Sequence, residues 1–434
     1  MDTSIGPLGY SISLKTLPPH FLEDIRRELT VKPIENPNFP SAVSYFPVFR
    51  VSKNNVYLPR YYGIQKYSMP LNNTLTETPI STGPFEGTLR PIQEETINKT
   101  LMCLKENYGG IISLSTGLGK TVVALKLIEI LKIKTIIVVH AEFLLDQWVE
   151  RIKQYLPSIR IGIIRQERCE IENDDVVVGM LQTIISREFP KNTFDSFSLL
   201  ISDENHHTAA RSFSGLFYKI QTKYMIGLSA TPERKDGLSK VLYWFFGPQI
   251  VNIKRETDNP SVRFLFTDVS LFEERFNKLG KINNPTMITD LTKNKLRNLL
   301  IIDTIKSLLK ESRKILILSD RRDHCLFLLS CLDGISAGVY LGGMTTANRA
   351  LTVECSVIIG TYQASGEGFD VPELDTLIMA TPKSDVEQAI GRILRQKNKN
   401  EPLIIDISDS FSIFKAQFAK RKRFYKNNNV KVIS

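Results

Sequence analysis

The chain of 434 residues predicts an α/β protein in which two doubly wound parallel-sheet lobes follow a small, mostly β N-terminal domain. Three observations predict it. From Leu89, short apolar runs of strand length alternate with longer amphipathic runs. The alternation fades after Pro232 and returns at Lys314. The apolar runs lack a polar face, as strands covered on both sides require.

Residues 1–88 are rich in Pro, Asn and aromatics, with Val48 to Tyr67 as the most structured part, and TPISTGPFEGT (Thr78 to Thr88) marks the entry to the next domain. In the first lobe, expected over 89–250, strands are predicted at Thr135 to His140, Asp175 to Leu181, Ser198 to Glu204 and Tyr224 to Thr231. TVVALKLIEIL and EFLLDQWVERIKQYL have helical periodicity, the second with Leu145, Trp148, Val149, Ile152 and Tyr155 on one face. The stretch between the lobes is mixed and charged, so 251–292 is expected to hold the connection, with room for an insertion. In the second lobe, 293–434, strands are predicted at Lys314 to Asp320, Cys355 to Thr361, Thr376 to Thr381 and Pro402 to Ile407.

Composition, with 42% apolar and 24% charged residues, favours neither disorder nor a fibrous repeat. A net charge of +10 suits a polyanionic partner, and equally a solvated surface. Cysteines 103, 169, 325, 331 and 355 form no CxxC pair, which argues against zinc and against a disulfide framework. The first residues lack a basic region followed by an apolar run, and nowhere do about 18 apolar residues run together. The expectation is a protein of a reducing, aqueous compartment, cytoplasmic, without a secretion signal and without a membrane partner.

STGLGKT, Ser115 to Thr121, follows a predicted strand. Gly117 and Gly119 let the backbone curl so that its amides face phosphate oxygens, and the following helix adds its positive end. Ser115, Thr116, Leu118 and the two glycines are the expected cradle, Lys120 the contact to the β and γ phosphates of ATP, and Thr121 a magnesium ligand. The generic pattern has glycine where this chain has Leu114. Asp203 and Glu204 end an apolar strand at the carboxyl edge of a parallel sheet, where ligands bind. Asp203 is expected to hold Mg2+ through water, and Glu204 to polarise the attacking water. His206 is read as a link from the nucleotide to the other lobe, with a helix-cap role as its alternative. Gln93 offers a donor and an acceptor to an adenine edge. Ser229, Ala230 and Thr231 end the next strand and are read as a relay between sites.

QAIGRILR places Gln388, Arg392 and Arg395 at helical spacings of four and three, so all three are expected on one side of a helix, with the arginines reaching the γ phosphate. In GTYQASGEGFD, Thr361 can donate to a nucleic-acid phosphate, while Gly368 and Asp370 can approach the ribose. Gly343, in YLGGM, offers a backbone amide to a phosphate, and Thr183 completes the expected nucleic-acid contacts.

These elements, taken in order from Leu89 to Gln396, resemble superfamily 2 helicases. LRPIQ, the DENHH box and ATPERKDG look most like the XPB and phage UvsW group, and the compact length and LPRYYG resemble the helicases of poxviruses and other large DNA viruses. The resemblance implies two RecA-like lobes with ATP between them, a nucleic-acid strand across both, 3′ to 5′ movement on DNA and, in the poxvirus relatives, assistance in transcript release. It implies an ATP-dependent DNA helicase or translocase, acting as a monomer, with DNA as partner and a viral transcription complex, repair or replication as its setting. If viral, its place is the host cytoplasm or the virion. An RNA helicase, and an ATP-gated scaffold that never unwinds, are the alternatives. Two basic, aromatic segments keep two readings each: Lys53, Arg60, Tyr61, Tyr62 and Lys66 grip DNA or simply fold, and Lys415 to Asn429 tracks nucleic acid or closes the second lobe.

Overall fold

The computed structural model describes every residue except 35–43, 116, 204–209, 230–236, 254–259, 268–271, 279, 366–368, 370, 397, 410 and 434, together with the side chains of 210–213 and 346. It divides into two compact units, Met1–Arg255 and Glu256–Ser434. The fold is α/β, with a parallel-sheet lobe in each unit and a small β-rich region at the N-terminus.

That N-terminal region is a five-stranded sheet in the order Arg50–Val51, Asn55–Leu58, Gly9–Ser13, Thr3–Gly6, Asn72–Asn73. Its buried Ile5, Tyr10, Ile12, Val56 and Leu58 share one continuous core with Ile111, Val138, Phe217, Phe245 and Phe246 of the first lobe. A helix at Arg60–Tyr67 fastens the two together. Arg60 is only 1% exposed, and its guanidinium donates to the carbonyls of Thr222 and Lys223, the latter at 2.9 Å. The Tyr61 hydroxyl donates to the Asn107 carbonyl. Tyr62 and Lys66 both donate to Glu28, at 2.7 and 2.6 Å. Of the five residues with two readings, these four make contacts within the fold, while Lys53 and the body of Lys66 are exposed.

The first lobe's sheet runs Arg168–Cys169, Ile161–Arg165, Val176–Met180, Thr135–Val139, Leu199–Asp203, Tyr224–Ser229, Gly109–Leu114, Gln249–Ile253. Every neighbouring pair is parallel except the first, where a tight hairpin turns back on the edge. The chain leaves Gly109–Leu114 through the helix Lys120–Leu131 and re-enters at Thr135–Val139, on the far side of two other strands. The later strands Leu199–Asp203 and Tyr224–Ser229 fill that gap, so their carboxyl ends open beside the loop at 115–119. The helix Glu142–Tyr155 buries Leu144, Leu145, Trp148 and Ile152, the face the periodicity predicts with Leu144 added.

The second unit's sheet runs Ala337–Tyr340, Val357–Thr361, Ile315–Ser319, Thr376–Met379, Leu403–Ser408, Ser261–Phe266, Lys431–Ile433, all parallel. Two of the strands come from the stretch in which the sequence shows no pattern. Gln249–Ile253 borders the first sheet and Ser261–Phe266 lies next to the border of the second. Each has partly exposed positions, so neither needs the continuous apolar run that marks an inner strand. Two buried ion pairs lock this unit: Arg297 with Asp409 and Arg421 with Asp406, both at 2.8 Å.

Beside the first pair, His324 is 3% exposed, 3.0 Å from Ser319 Oγ and 3.0 Å from Asn298 Oδ1. Burial, with a smaller contribution from Arg297, pushes its pKa down to about 3 from an ordinary 6.5, so the folded imidazole is neutral. Below pH 6.5 the unfolded chain binds a proton that the folded chain refuses. The stability is therefore complete above that pH and is lost as pH falls, by at most about 1.4 kcal/mol per pH unit. In urea denaturation over a pH series, His324→Gln is expected to flatten this acid limb, and an unchanged limb contradicts the assignment.

Candidate nucleotide and nucleic-acid site

Gly109–Leu114 is buried throughout and delivers the chain to the phosphate-type loop at the sheet's carboxyl edge. Gly117 and Gly119 have φ of 84° and 89°, a region in which a side chain is strained. A Cβ on Gly119 would also meet Gln93 Nε2 and displace that amide from the loop. Behind the loop, the helix Pro91–Asn107 and its cap residue pin the loop carbonyls: Arg90 Nη2 donates to Gly117 O at 3.1 Å and Gln93 Nε2 to Leu118 O at 3.0 Å. Gln93 Oε1 accepts from Arg90 N at 2.9 Å, so this buried amide, read from the sequence as an adenine contact, ties the start of its own helix to the loop.

Lys120 and Thr121 are the first two residues of the helix Lys120–Leu131, and its N-cap is Gly119. A glycine N-cap brings no side chain of its own to the first-turn amides, the end of a helix that favours an anion. Ser115 precedes the loop, half-buried, and Thr116 lies outside the described residues.

Asp203 closes the strand Leu199–Asp203 and is 8% exposed. Its Oδ2 accepts from the indole Nε1 of Trp148 at 2.9 Å. Trp148, itself buried, is legible in the sequence only as an apolar face residue; a buried indole N–H needs an acceptor, and that need is the signal that points to a carboxylate. Ser229 ends Tyr224–Ser229, pairs in register with Ser113, and follows Leu228, the register partner of Asp203. The sheet thus brings the loop, Asp203 and Ser229 to one edge. Glu204, His206, Ala230 and Thr231 lie outside the described residues. A helix start without a side-chain cap, a hydroxyl at its second residue and a buried carboxylate at the same sheet edge form a donor set that fits a magnesium nucleotide.

Thr183 sits on Leu181–Ser186, at the same edge, where its hydroxyl accepts from Gln166 N at 3.1 Å. The neighbouring Gln182 donates to His140 O at 2.8 Å, tying this turn to the entry of the helix that carries Trp148.

In the second unit, Thr361 ends Val357–Thr361, and its hydroxyl accepts from Ala364 N at 3.2 Å, which leaves its proton to donate outward. Gly343 follows the neighbouring strand Ala337–Tyr340, is exposed with φ of 81°, and faces open space. Gln388 lies on a single helical turn, Glu387–Ile390, and the longer helix expected through Arg395 does not form. The reason is local: Arg392 N and Ile393 N bond three residues back, to Ala389 and Ile390 carbonyls at 3.1 Å, and the ladder tightens into turns. Arg392 and Arg395 nevertheless converge, because both guanidiniums donate to the carbonyl of Phe369, Arg395 at 2.6 Å. Gly368 and Asp370, on either side of Phe369, lie outside the described residues.

These features define a nucleotide-driven enzyme of the helicase class, and comparison with known proteins places the chain within it. Residues 86–234 match the family "Type III restriction enzyme, res subunit" and residues 294–397 match "Helicase conserved C-terminal domain". The "Putative ATP-dependent RNA helicase L396" of Acanthamoeba polyphaga mimivirus is 31% identical over 100% of this chain and 86% of its own length. The "Putative helicase 161L" of Invertebrate iridescent virus 6 is 28% identical over 97% of this chain and 98% of its length. The "Putative ATP-dependent RNA helicase QP509L" of African swine fever virus, isolate Pretoriuskop, is 27% identical over 98% and 91%. The chain belongs to the superfamily 2 helicases, and within them is related to those of large DNA viruses. Helicases of this superfamily act on nucleic acid and use ATP with a divalent metal. Among the described residues no helix is long and apolar enough to cross a membrane.

Removing the indole donor leaves a buried carboxylate short of a partner, at a cost of about 1–3 kcal/mol. Trp148→Phe is expected to lose that much stability in urea denaturation, and to lose much less of it when Asp203→Asn is already present. Fully additive losses in the double-mutant cycle would contradict a direct Trp148–Asp203 bond.

Proposed function

We propose that the protein is an ATP-dependent DNA helicase or translocase that couples hydrolysis to movement along one strand. The observation that carries this reading is the shared carboxyl edge of the first lobe, where the Gly119-capped helix start and the Trp148-held Asp203 follow strands separated by one strand, Tyr224–Ser229. Lys120 binds the β and γ phosphates, and Ser115, Thr116, Gly117, Leu118 and Gly119 shape the backbone around them. Thr121 and Asp203 hold magnesium, which when bound neutralises charge on the phosphate oxygens. Glu204 orients the attacking water, and Arg392 and Arg395 exchange the Phe369 carbonyl for phosphate oxygen. Gln93 meets the adenine, Gly368 and Asp370 the ribose. His206, Gln388 and the Ser229, Ala230, Thr231 segment relay nucleotide state to the nucleic acid, whose backbone is held by Thr183, Gly343 and Thr361.

DNA as the track is supported by the LRPIQ, DENHH and ATPERKDG segments, which look like the XPB and UvsW group, and the same likeness supports 3′ to 5′ movement, while the compact length and LPRYYG, which look like poxvirus helicases, support a setting in viral transcription. The RNA reading is favoured by the printed names of the mimivirus and African swine fever virus relatives.

Lys120→Ala and Glu204→Gln are each expected to lower ATP turnover at least a hundredfold with the circular-dichroism spectrum unchanged. Near-normal turnover in either purified variant would overturn the assignment. Displacement of a labelled strand from a DNA duplex with a 3′ overhang, and none from the matching RNA duplex, is the outcome expected of a DNA motor.

A further inference from the structure

The C-terminal helix Ser412–Asn427 contains six basic residues and no acidic one. The structure splits them. Arg421 is 2% exposed, paired to Asp406, and donates to Lys383 O at 2.7 Å. Tyr425 donates its hydroxyl to Asp406 at 2.8 Å, Phe418 packs edge-on against Phe264, and Phe424 joins the core. The aromatic side is therefore spent on closing the lobe, which removes base stacking as a use for it. The other five, Lys415, Lys420, Lys422, Arg423 and Lys426, are all exposed, and none of them has an acidic partner among the described residues.

Lys415, Lys422 and Lys426 fall on one stripe at spacings of seven and four, with Arg423 and then Lys420 further round the solvent side. Like charges at these spacings destabilise a helix. The helix dipole favours the cations of the last turn but opposes Lys415 near the start, so it does not account for the array. Through Arg421 the helix adjoins Lys383, whose ammonium donates to Asp320 at 2.9 Å, while Tyr362 donates to Thr381 O at 3.0 Å. These residues belong to the loops that follow the strands ending at Ser319, Thr361 and Met379. The start of the array, at Lys415, thus lies nearest the edge that carries Thr361, and the helix then runs back toward the opposite edge, where Lys431 pairs with Ser261.

We propose that the solvent face of this helix is a second phosphate-tracking surface, binding the sugar-phosphate backbone of a nucleic-acid strand beyond the contacts of Thr361. It rests on the reading of the protein as a nucleic-acid motor. Recognition is electrostatic and sequence-independent, because the exposed groups are cations on flexible stems and the aromatic side chains of the helix are turned to the core.

The test uses the full-length protein and a fluorescein-labelled single-stranded oligonucleotide, with anisotropy titrations over a salt series. The fivefold variant K415Q/K420Q/K422Q/R423Q/K426Q is expected to bind at least tenfold more weakly at low salt, and to lower the slope of log affinity against log salt by about 3.5 if all five contact phosphate. The pair K422Q/K426Q is expected to lower it by about 1.4, which keeps the test intact if the fivefold variant melts early. An unchanged slope and affinity in either folded variant overturn the proposal. Loss of binding to vesicles containing phosphatidylserine, with oligonucleotide binding unchanged, also overturns it and assigns the face to a membrane. Failure of the wild type to bind the oligonucleotide would instead strike the underlying motor reading.

Discussion

The first lobe depends on one constraint, the parallel register that seats Tyr224–Ser229 between Leu199–Asp203 and Gly109–Leu114. With Ser229 beside Ser113 and Asp203 beside Leu228, three chain segments far apart in sequence end at one edge of the sheet. A slip of one residue would turn each side chain to the opposite face. The strands hold their register because both faces are buried, with Ile111, Val138 and Leu200 toward one core and Ile112, Ile137 and Ile201 toward the other. The chemistry at the edge is then set locally, by two glycines with positive φ, a helix start without a side-chain cap, and a carboxylate fixed by an indole.

Much of this is legible in the sequence, for reasons that differ by element. Inner strands such as Thr135–Val139 and Ile315–Ser319 announce themselves as unbroken apolar runs, since both of their faces are covered. Gln249–Ile253 and Ser261–Phe266 do not, because exposed positions on them carry polar residues or break the pattern. The phosphate loop is legible because its chemistry demands particular residue types at fixed spacing. Trp148 and Arg90 are not, since their roles exist only once the strand ends and the loop are brought together. The arginines of QAIGRILR reach a common acceptor by tight turns instead of a helix face, so the convergence expected from their spacing comes from a different local structure.

Basic and aromatic residues are the least readable class, because one composition serves two purposes. Arg60 and Arg421 look like surface cations in sequence, yet each is buried and spent on carbonyls or a carboxylate. Burying a guanidinium is tolerable only when its donors are matched, and both side chains have several matched at once. Arg60 joins the N-terminal sheet to the first lobe, and Arg421 closes the second. The neighbours left outside, above all on Ser412–Asn427, are the residues whose charge folding does not explain.

The central claim is that the edge built by Gly119, Lys120, Asp203 and their supports drives a motor on DNA. Steady-state ATP hydrolysis by the purified protein, alone and with single-stranded DNA, duplex DNA or RNA at one fixed salt concentration, tests it most directly. Low turnover alone and stimulation mainly by DNA are the predicted result. Stimulation mainly by RNA, or by none of the three, would contradict it.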